Sequence, residues 1–362
     1  MKNLRKAFPA LRQYVYLNTA SCGLMSEKVF EYRQDHDLDL LIAGSIFRDK
    51  HGEVLEKVRE TAGDFFSCAP NRVGLIHNFS SGFNTLLSGI NSSSRILLLK
   101  EDYPSINWAV NSREFDVCYA KIDDKLEQNI EEALSENKPD LFCFSIVQYE
   151  NGIKLSISFL KEMKEKFPDT LFVADGTQFL GTEKFDFDAS KIDVVIASCY
   201  KWMNAGYGNA VMLFQEDVPK KIDPKSCGFN SLQGKYKAHE GNFLGKFEPG
   251  HQDSLNFGSI MAAIKLINSV GISLIEERIK LLSQKAKEEF KKLGLLEDAV
   301  VNRAQHSSIF NIGGDAKLLQ FLNDKNIICS LKEPGVRVSF HYYNTEEEID
   351  LLVTALKEYF QK

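Results

Sequence analysis

IASCYKWMNAGYGNAVMLF, residues 196–214, sets one lysine between two apolar runs of strand length. Lys201 follows the first run and precedes a glycine-bearing loop and then the second run. A lysine held in a partly desolvated site loses its charge more readily, and the neutral amine can attack an aldehyde to form a Schiff base. Lysines at strand ends are also commonly solvated surface residues, so the neighbouring segments must decide between these two interpretations.

The central two thirds of the chain alternate short apolar runs with segments of helical period. The runs have strand length, and they span residues 73–77, 95–99, 141–146, 171–174, 194–197 and 210–214. Several are apolar on both faces, as a sheet covered on both sides requires. This alternation predicts an α/β fold with a mostly parallel sheet, which binds its ligands at the carboxyl ends of its strands.

The end of the chain has a different pattern. Residues 257–296 form one long stretch of helical period, and Asn344 and Thr345 precede a second helix. The spacing of Thr345 and Glu348 fits a capping box. We assign residues 19–255 to a large domain, and residues 1–18 and 256–362 to a smaller α+β domain.

Composition excludes several classes of protein. The chain has 362 residues, of which 44% are hydrophobic, enough for one large core or for two domains that share a cleft. Its 44 basic and 50 acidic residues are dispersed and give a net charge of −6, so we expect no nucleic-acid or membrane partner. Seven cysteines without CxxC spacing indicate reduced thiols. No apolar run approaches the ~18 residues of a membrane span, and we expect a soluble, cytoplasmic protein.

Two further segments carry candidate site residues. In LFVADGTQFLG, Asp175 follows a predicted strand, and Gln178 comes three residues later. A carboxylate there can pair with a protonated ring nitrogen of a ligand, although Asp175 would also suit a helix N-cap. In GLIHNFSSGFNTLLSGI, Ser80 and Ser81 precede an apolar helix whose free N–H groups favour a phosphate, although Ser-Ser-Gly is also ordinary capping.

Seven segments occur in the order and approximate spacing of one known family. They are YLNTASCG, NFSSGFN, EDYPSINW, VADGTQ, SCYKW, FEPGHQD and GVRVSFHYYNTEEEID. On these motifs the chain resembles, over nearly its whole length, the class V aminotransferases. These are fold-type I pyridoxal 5'-phosphate (PLP) enzymes, whose relatives include cysteine desulfurases, kynureninases and isopenicillin N epimerase-like proteins. The resemblance implies that the large domain binds PLP.

The resemblance also implies roles for individual residues. Lys201 would hold PLP as a Schiff base, Asp175 would pair with the pyridinium nitrogen, and Gln178 would donate to the phenolic oxygen. The phosphate would be held by Ser80, Ser198 and Tyr200, with Ser81 beside them. Tyr103 would stack on the pyridine ring, and Arg337 would bind the substrate's carboxylate in a two-bond geometry.

Two positions depart from the family pattern. His251 stands where many members have a threonine that reaches the phosphate from the partner subunit of a homodimer with shared active sites. Tyr149, an expected substrate contact, stands where desulfurases have an asparagine. Structural alternatives also exist, namely a half-buried loop aromatic for Tyr103 and an ion pair with a structural carboxylate for Arg337.

The site residues favour transamination between an amino acid and a 2-oxo acid. This reaction needs little beyond a proton moved by Lys201 and an electron sink maintained by Asp175. A desulfurase also needs a nucleophilic cysteine on a mobile loop. Cys329 lies in an apolar run and is predicted to be a small buried hydrophobe, and Cys22 in the opening segment is the other candidate thiol. A kynureninase-like hydrolase, a phosphoserine-type aminotransferase and a catalytically silent protein on this fold stay open as alternatives.

Overall fold

The computed structural model describes residues 2–231 and 243–360. The described residues contain twelve strands: β1 Val15–Tyr16, β2 Val73–Ile76, β3 Arg95–Leu99, β4 Asp116–Ala120, β5 Leu141–Ser145, β6 Leu171–Asp175, β7 Val194–Ser198, β8 Ala210–Phe214, β9 Ile309–Asn311, β10 Ile327–Ile328, β11 Ser330–Lys332 and β12 Gly335–Ser339. Seven of them form a central sheet in the order β2-β8-β7-β6-β5-β3-β4. Neighbouring strands are parallel except at β8, which is antiparallel to β2 and β7. The prediction of a mostly parallel α/β sheet is confirmed.

Fourteen α-helices are described: α1 Lys2–Arg5, α2 Glu27–Ala43, α3 Ser45–Arg48, α4 His51–Phe66, α5 Phe79–Leu87, α6 Pro104–Asn111, α7 Leu126–Asn137, α8 Ile157–Lys166, α9 Phe187–Ser190, α10 Ser254–Val270, α11 Ile272–Lys292, α12 Asp298–Val301, α13 Ala316–Asp324 and α14 Glu346–Phe360. The long helical stretch predicted over residues 257–296 is two helices. They meet at Gly271, whose φ of +91° favours glycine and ends α10.

Helices cover both faces of the central sheet. Side chains alternate along each strand, so Leu97 and Phe142 point into a core shared with α4, α7, α8 and α10. Their neighbours Ile96 and Leu141 point into the opposite core, shared with α5 and α6. Burial on both sides explains why the strand sequences are apolar throughout rather than alternating.

The remaining strands form two small sheets near the chain ends. β1 pairs in parallel with β10, and β11, β12 and β9 form an antiparallel sheet. This part packs on α13, α14 and the C-terminal half of α11. The predicted capping box is confirmed, because Thr345 N–H donates to the Glu348 carboxylate at 3.0 Å and Glu348 N–H donates to the Thr345 hydroxyl at 3.3 Å.

The predicted domain division near residue 255 falls at the start of α10. The buried side chains of this helix belong to the core of the central sheet, where α10 packs against α2 and α4. The division itself stays a prediction. In the two described ranges, no single helix is long and apolar enough to cross a membrane, although the pair α10 and α11, bent by 78°, passes the same test of length and composition when taken together.

Candidate active site

A cavity lies at the carboxyl edge of the central sheet. The segments that follow β2, β3, β5, β6 and β7 supply its walls, because these strands all end at the same edge. Eight of the predicted site residues line it: Ser80, Tyr103, Tyr149, Asp175, Gln178, Ser198, Tyr200 and Lys201. Motifs that are far apart in the sequence therefore meet at one place.

Lys201 has a buried amine in this cavity. The residue is 6% exposed, and its Nζ lies 5.7 Å from the ring centroid of Tyr103 and 5.6 Å from that of Tyr200. Within the described part of the chain, Nζ makes no hydrogen bond and no ion pair. Burial lowers the pKa of Lys201, against the opposing charge of Asp175. The interpretation of Lys201 as a solvated surface residue is wrong, and its surroundings favour the neutral amine.

The turn that presents Lys201 is held by the opening segment of the chain. Asn204 N–H donates to the Lys201 carbonyl at 3.1 Å, and Gly23 N–H donates to the Tyr200 carbonyl at 2.9 Å. A Cβ atom on Gly23 would lie 1.9 Å from the Lys201 carbonyl oxygen. The glycine of the YLNTASCG motif is therefore required for this close approach.

Asp175 ends β6 on the floor of the cavity. No helix begins at this residue, so the N-cap interpretation is wrong. Its Oδ1 accepts a hydrogen bond from the Thr177 N–H at 2.7 Å, and burial raises the pKa of the carboxyl group. Thr177 also lines the cavity, and its hydroxyl accepts the Ser198 N–H at 3.1 Å. Sequence reasoning missed Thr177, although it stands inside the VADGTQ motif.

The start of α5 has the donors that a phosphate group requires. Asn78 caps this helix by accepting the Ser81 N–H at 2.9 Å, and the Ser198 hydroxyl accepts the Phe79 N–H at 2.9 Å. The Ser80 N–H lies between them and makes no hydrogen bond within the described ranges. Ser80 directs its hydroxyl to Ser105 at 2.8 Å. Ser81 is exposed, its hydroxyl donates to the Asn78 carbonyl, and it does not line the cavity.

The side chain of Gln178 is fixed at the cavity wall by two hydrogen bonds. Its Nε2 donates to the Ala20 carbonyl at 2.9 Å, and its Oε1 accepts the Trp202 Nε1–H at 2.7 Å. One amide hydrogen of Nε2 is left for a ligand, which is compatible with the predicted contact to a phenolic oxygen. Tyr200 is held by stacking on Tyr207, with ring centroids 4.5 Å apart.

Arg337 lies on β12 and is 2% exposed. Its guanidinium donates to the Tyr149 carbonyl at 2.6 Å and to the Ser21 hydroxyl at 2.9 Å, and it pairs with no carboxylate in the described residues. The alternative of a structural ion pair is therefore wrong. Burial lowers the pKa of Arg337 to about 10. The Tyr149 ring in turn packs edge-on against Tyr103 at 5.2 Å, which links Arg337 to the cavity wall.

Comparison with known proteins decides the family. The model of the family described as aminotransferase class-V matches residues 44–352. The chain belongs to this family. It is 22% identical to an uncharacterized aminotransferase, YcbU, of Bacillus subtilis, over 95% of this chain and 94% of that protein. Several other relatives are named as probable cysteine desulfurases, among them one from Ureaplasma parvum at 23% identity that covers 99% of this chain and 98% of its own.

Solved structures show the same fold. The apo cysteine desulfurase of Thermococcus onnurineus superposes with a TM-score of 0.86 at 16% identity, over 99% of this chain and 97% of the other. The fold-type I architecture of this class-V aminotransferase family member is thereby confirmed.

The cofactor of this class-V family member is PLP. The residues present fit it, because the cavity offers a buried amine without a partner, a buried carboxylate and a free N–H at a helix start. Lys201 would hold its aldehyde carbon, Asp175 its ring nitrogen, and Tyr103 one face of its ring. The phosphate group would be bound by the Ser80 N–H together with Ser198.

Three of the predicted site residues, Ser81, Arg337 and His251, do not line the cavity, and neither do the two candidate thiols. His251 is exposed and stacks on Phe229 at 4.9 Å, so its contact with a partner subunit stays a prediction. Cys329 is buried in the core of the small sheets, and desolvation raises its pKa to about 12, which confirms it as a buried hydrophobe. Cys22 is half-buried in the opening segment, where its carbonyl accepts the Tyr16 hydroxyl at 2.7 Å.

Proposed function

We propose that the protein is an aminotransferase that exchanges an amino group between an amino acid and a 2-oxo acid. The observation that carries this proposal is a buried amine, Lys201, together with a buried guanidinium, Arg337, neither of which makes an ion pair within the described residues. One group can move a proton, and the other can hold a carboxylate. These are the two functions that transamination requires from the protein.

PLP supplies a carbonyl carbon that takes up the substrate's amino group and a ring that accepts an electron pair from its Cα. The chain's own residues choose which bond is broken. Arg337 holds the carboxylate and thereby sets the orientation of the Cα–H bond relative to Lys201. Because burial lowers the pKa of Lys201, its Nζ can accept the Cα proton near neutral pH and return it.

Asp175 has the complementary task of keeping a ring nitrogen protonated. Its position at the end of β6 is fixed by the hydrogen bond from Thr177. Without such a carboxylate the ring would be a weaker electron sink, and proton removal from Cα would slow. Tyr103 would cover one face of the ring and limit water at the reacting carbon.

Cysteine desulfurase or a related lyase is the second candidate, and the names of many relatives favour it as much as transamination. Such a reaction needs an accessible thiolate beside the substrate. Among the described cysteines, Cys329 is enclosed in the small-sheet core, and Cys22 is the one in the segment that covers the lysine turn. The second candidate therefore depends on Cys22.

Half-reactions distinguish the two candidates. Single amino acids are added to the purified holoenzyme without any oxo acid, and cofactor absorbance and products are followed. An aminotransferase converts its cofactor once to the amine form and releases one oxo acid per site. A lyase or hydrolase regenerates its starting spectrum and releases sulfide, or alanine with an acyl fragment, over many turnovers.

The two cysteine variants complete this test. Cys22→Ala should leave the single-turnover conversion intact, and Cys329→Ala serves as the matched control for thiol removal. Loss of sulfide release in Cys22→Ala alone would reject transamination in favour of sulfur chemistry. A colourless wild-type protein that takes up no PLP would reject both candidates.

A further inference from the structure

A second cavity lies behind the Gln178 wall of the active site. It is bounded by α11 on one side and by residues of the central-sheet domain on the other, and its volume is about 390 Å³. Gln178 and Val147 line both cavities, and Trp202, which donates to Gln178, lines the second one. A ligand in the second cavity would therefore touch residues that also shape the active site.

One face of α11 lines this cavity with polar side chains. They recur at helical spacing, so they form one stripe: Glu276, Lys280, Ser283, Gln284 and Lys287. The apolar residues of the same helix, such as Ile275 and Leu282, are buried elsewhere in the cores. The stripe borders the cavity, with Ser283 and Lys287 half-buried and the other three side chains exposed.

Positive charge is in excess along the cavity wall. Three lysines and two carboxylates line the cavity, so the excess is one positive charge. Lys154 is neutralised by Glu183, whereas Glu276 keeps its charge and accepts the backbone N–H of Lys184 at 3.1 Å. Lys280 and Lys287, by contrast, make no ion pair in the described ranges.

Lys287 is the more constrained of these two lysines. Its Nζ donates to the Arg303 carbonyl at 2.7 Å. Burial and the positive charges of Lys291 and Arg303 lower its pKa. A bound anion would offset this like-charge repulsion.

The cavity also contains a buried donor without an acceptor. Ser308 is 1% exposed and lines the cavity, and its hydroxyl has no hydrogen-bond partner among the residues that the structure describes. Buried hydroxyl groups are nearly always hydrogen-bonded, so an unpaired one indicates a missing partner. It lies on the segment that runs into β9, next to Ser307, whose carbonyl accepts the hydroxyl of Ser283 on α11 at 2.7 Å.

We propose that this second cavity is a binding site for a small anion of carboxylate or phosphate chemistry. Lys280 and Lys287 supply its positive charge, and the Ser308 hydroxyl supplies a hydrogen bond. The site is separate from the PLP cavity and does not depend on which reaction the protein performs.

Fluorescence of Trp202 provides a direct test. The chain has two tryptophans, and Trp108 is 73% exposed whereas Trp202 is 1% exposed, so a Trp108→Phe holoenzyme reports on Trp202 alone. This protein is titrated with inorganic phosphate and, separately, with malonate, at constant ionic strength set by chloride. We expect a saturable change in emission, and the probe that binds more tightly identifies the anion class.

Lysine variants test whether the change in Trp202 emission comes from an anion bound in this cavity. Lys287→Met should weaken the apparent affinity about tenfold, as the loss of one charge-assisted hydrogen bond predicts. Lys292→Met is the matched control on the same helix, because Lys292 pairs with Glu289 at the surface outside the cavity, and its affinity should stay unchanged. If Lys287→Met does not fold, Lys280→Met replaces it, since Lys280 is exposed at the cavity rim.

Two results would overturn the proposal. One is the absence of any saturable emission change with both anions. The other is loss of the signal in Arg337→Ala with no effect of the α11 lysines, which would put the anion in the active site. Neither result bears on the half-reaction assay, so the proposed function stands or fails separately.

Discussion

Arg337→Met separates the ligand-binding role of this arginine from a structural one. Burial lowers its pKa to about 10, which corresponds to about 3 kcal/mol against the charged form in the folded protein. Its hydrogen bonds to Tyr149 and Ser21 contribute about 1.5 kcal/mol each. These effects nearly cancel, and both partners are half-buried, so water can replace the lost donor. The free energy of unfolding should change by less than about 1 kcal/mol.

Ligand affinity should respond very differently. Removing one partner of a buried charge pair costs about 2–5 kcal/mol, or roughly 30- to 5,000-fold in Kd. The assay is an absorbance titration of the holoenzyme with 2-methyl amino acids, which lack the Cα hydrogen and cannot complete the reaction. Arg278→Met is the matched control, because Arg278 lies on α11 and bonds to Glu346 at 3.3 Å, outside the active-site cavity.

Either of two results would contradict a substrate-binding role for Arg337. An unchanged Kd at normal PLP content would remove Arg337 from the substrate site. A fall of several kcal/mol in the free energy of unfolding, measured in urea, would make the guanidinium a structural element whose loss disturbs the site indirectly.

Three further predictions concern other parts of the chain. Apo-protein should recapture PLP faster as pH rises. The midpoint of this rise should lie well below 10.5, because the folded-state pKa of Lys201 is lowered and the neutral amine exists above that pKa. Stopped-flow absorbance measures the rate, and a Lys201→Ala protein that still gave a borohydride-stable PLP adduct would contradict the role of Lys201. Thr345→Ala should lower the free energy of unfolding by about 1 kcal/mol through loss of the capping box, with Thr354→Ala, on the exposed side of α14, as the control. If the protein is a homodimer in which His251 completes its partner's site, Lys201→Ala and His251→Ala subunits should complement each other. About a quarter of the sites in an equal mixture should then regain activity. A fully active monomer would exclude this arrangement.

The sequence predicted the central sheet well because its strands are buried on both faces. The six apolar runs correspond to β2, β3, β5, β6, β7 and β8, with differences of one residue at their ends. β4 was missed because it is an edge strand, and its Asp116 and Tyr119 are exposed. The break at Gly271 was missed because helical period continues across it, and periodicity carries no information about a backbone angle.

Prediction of the site depended on ordered motifs rather than on single residues. Lys201, Asp175 and Ser80 each had an ordinary structural explanation. The order and spacing of their motifs matched one family, and that match identified them as site residues. Thr177 was missed because its hydroxyl contacts the backbone of Ser198, which joins the segment after β6 to the end of β7, and local sequence does not show such a contact. Ser81 was included because it shares the Ser80 turn, yet in a helix adjacent residues point in different directions.

The site contains a buried guanidinium without an ion pair, and this predicts how the protein responds to ligands. Lys201 and Arg337 both have lowered pKa values because of burial, and neither makes an ion pair in the described ranges. Isolated buried charges destabilise a fold unless a partner supplies the opposite charge. A 2-methyl amino acid at about 100 times its Kd should therefore raise the free energy of unfolding of the wild-type holoenzyme by about 2.7 kcal/mol. Arg337→Met at the same concentration should gain less than about 1 kcal/mol, because its Kd is at least roughly 30-fold higher, and so should the wild type with isopropylamine, which lacks the carboxylate of 2-methylalanine. Equal stabilisation by the amine and the amino acid would mean that the carboxylate binds no cation, and Arg337 would then be buried for another reason.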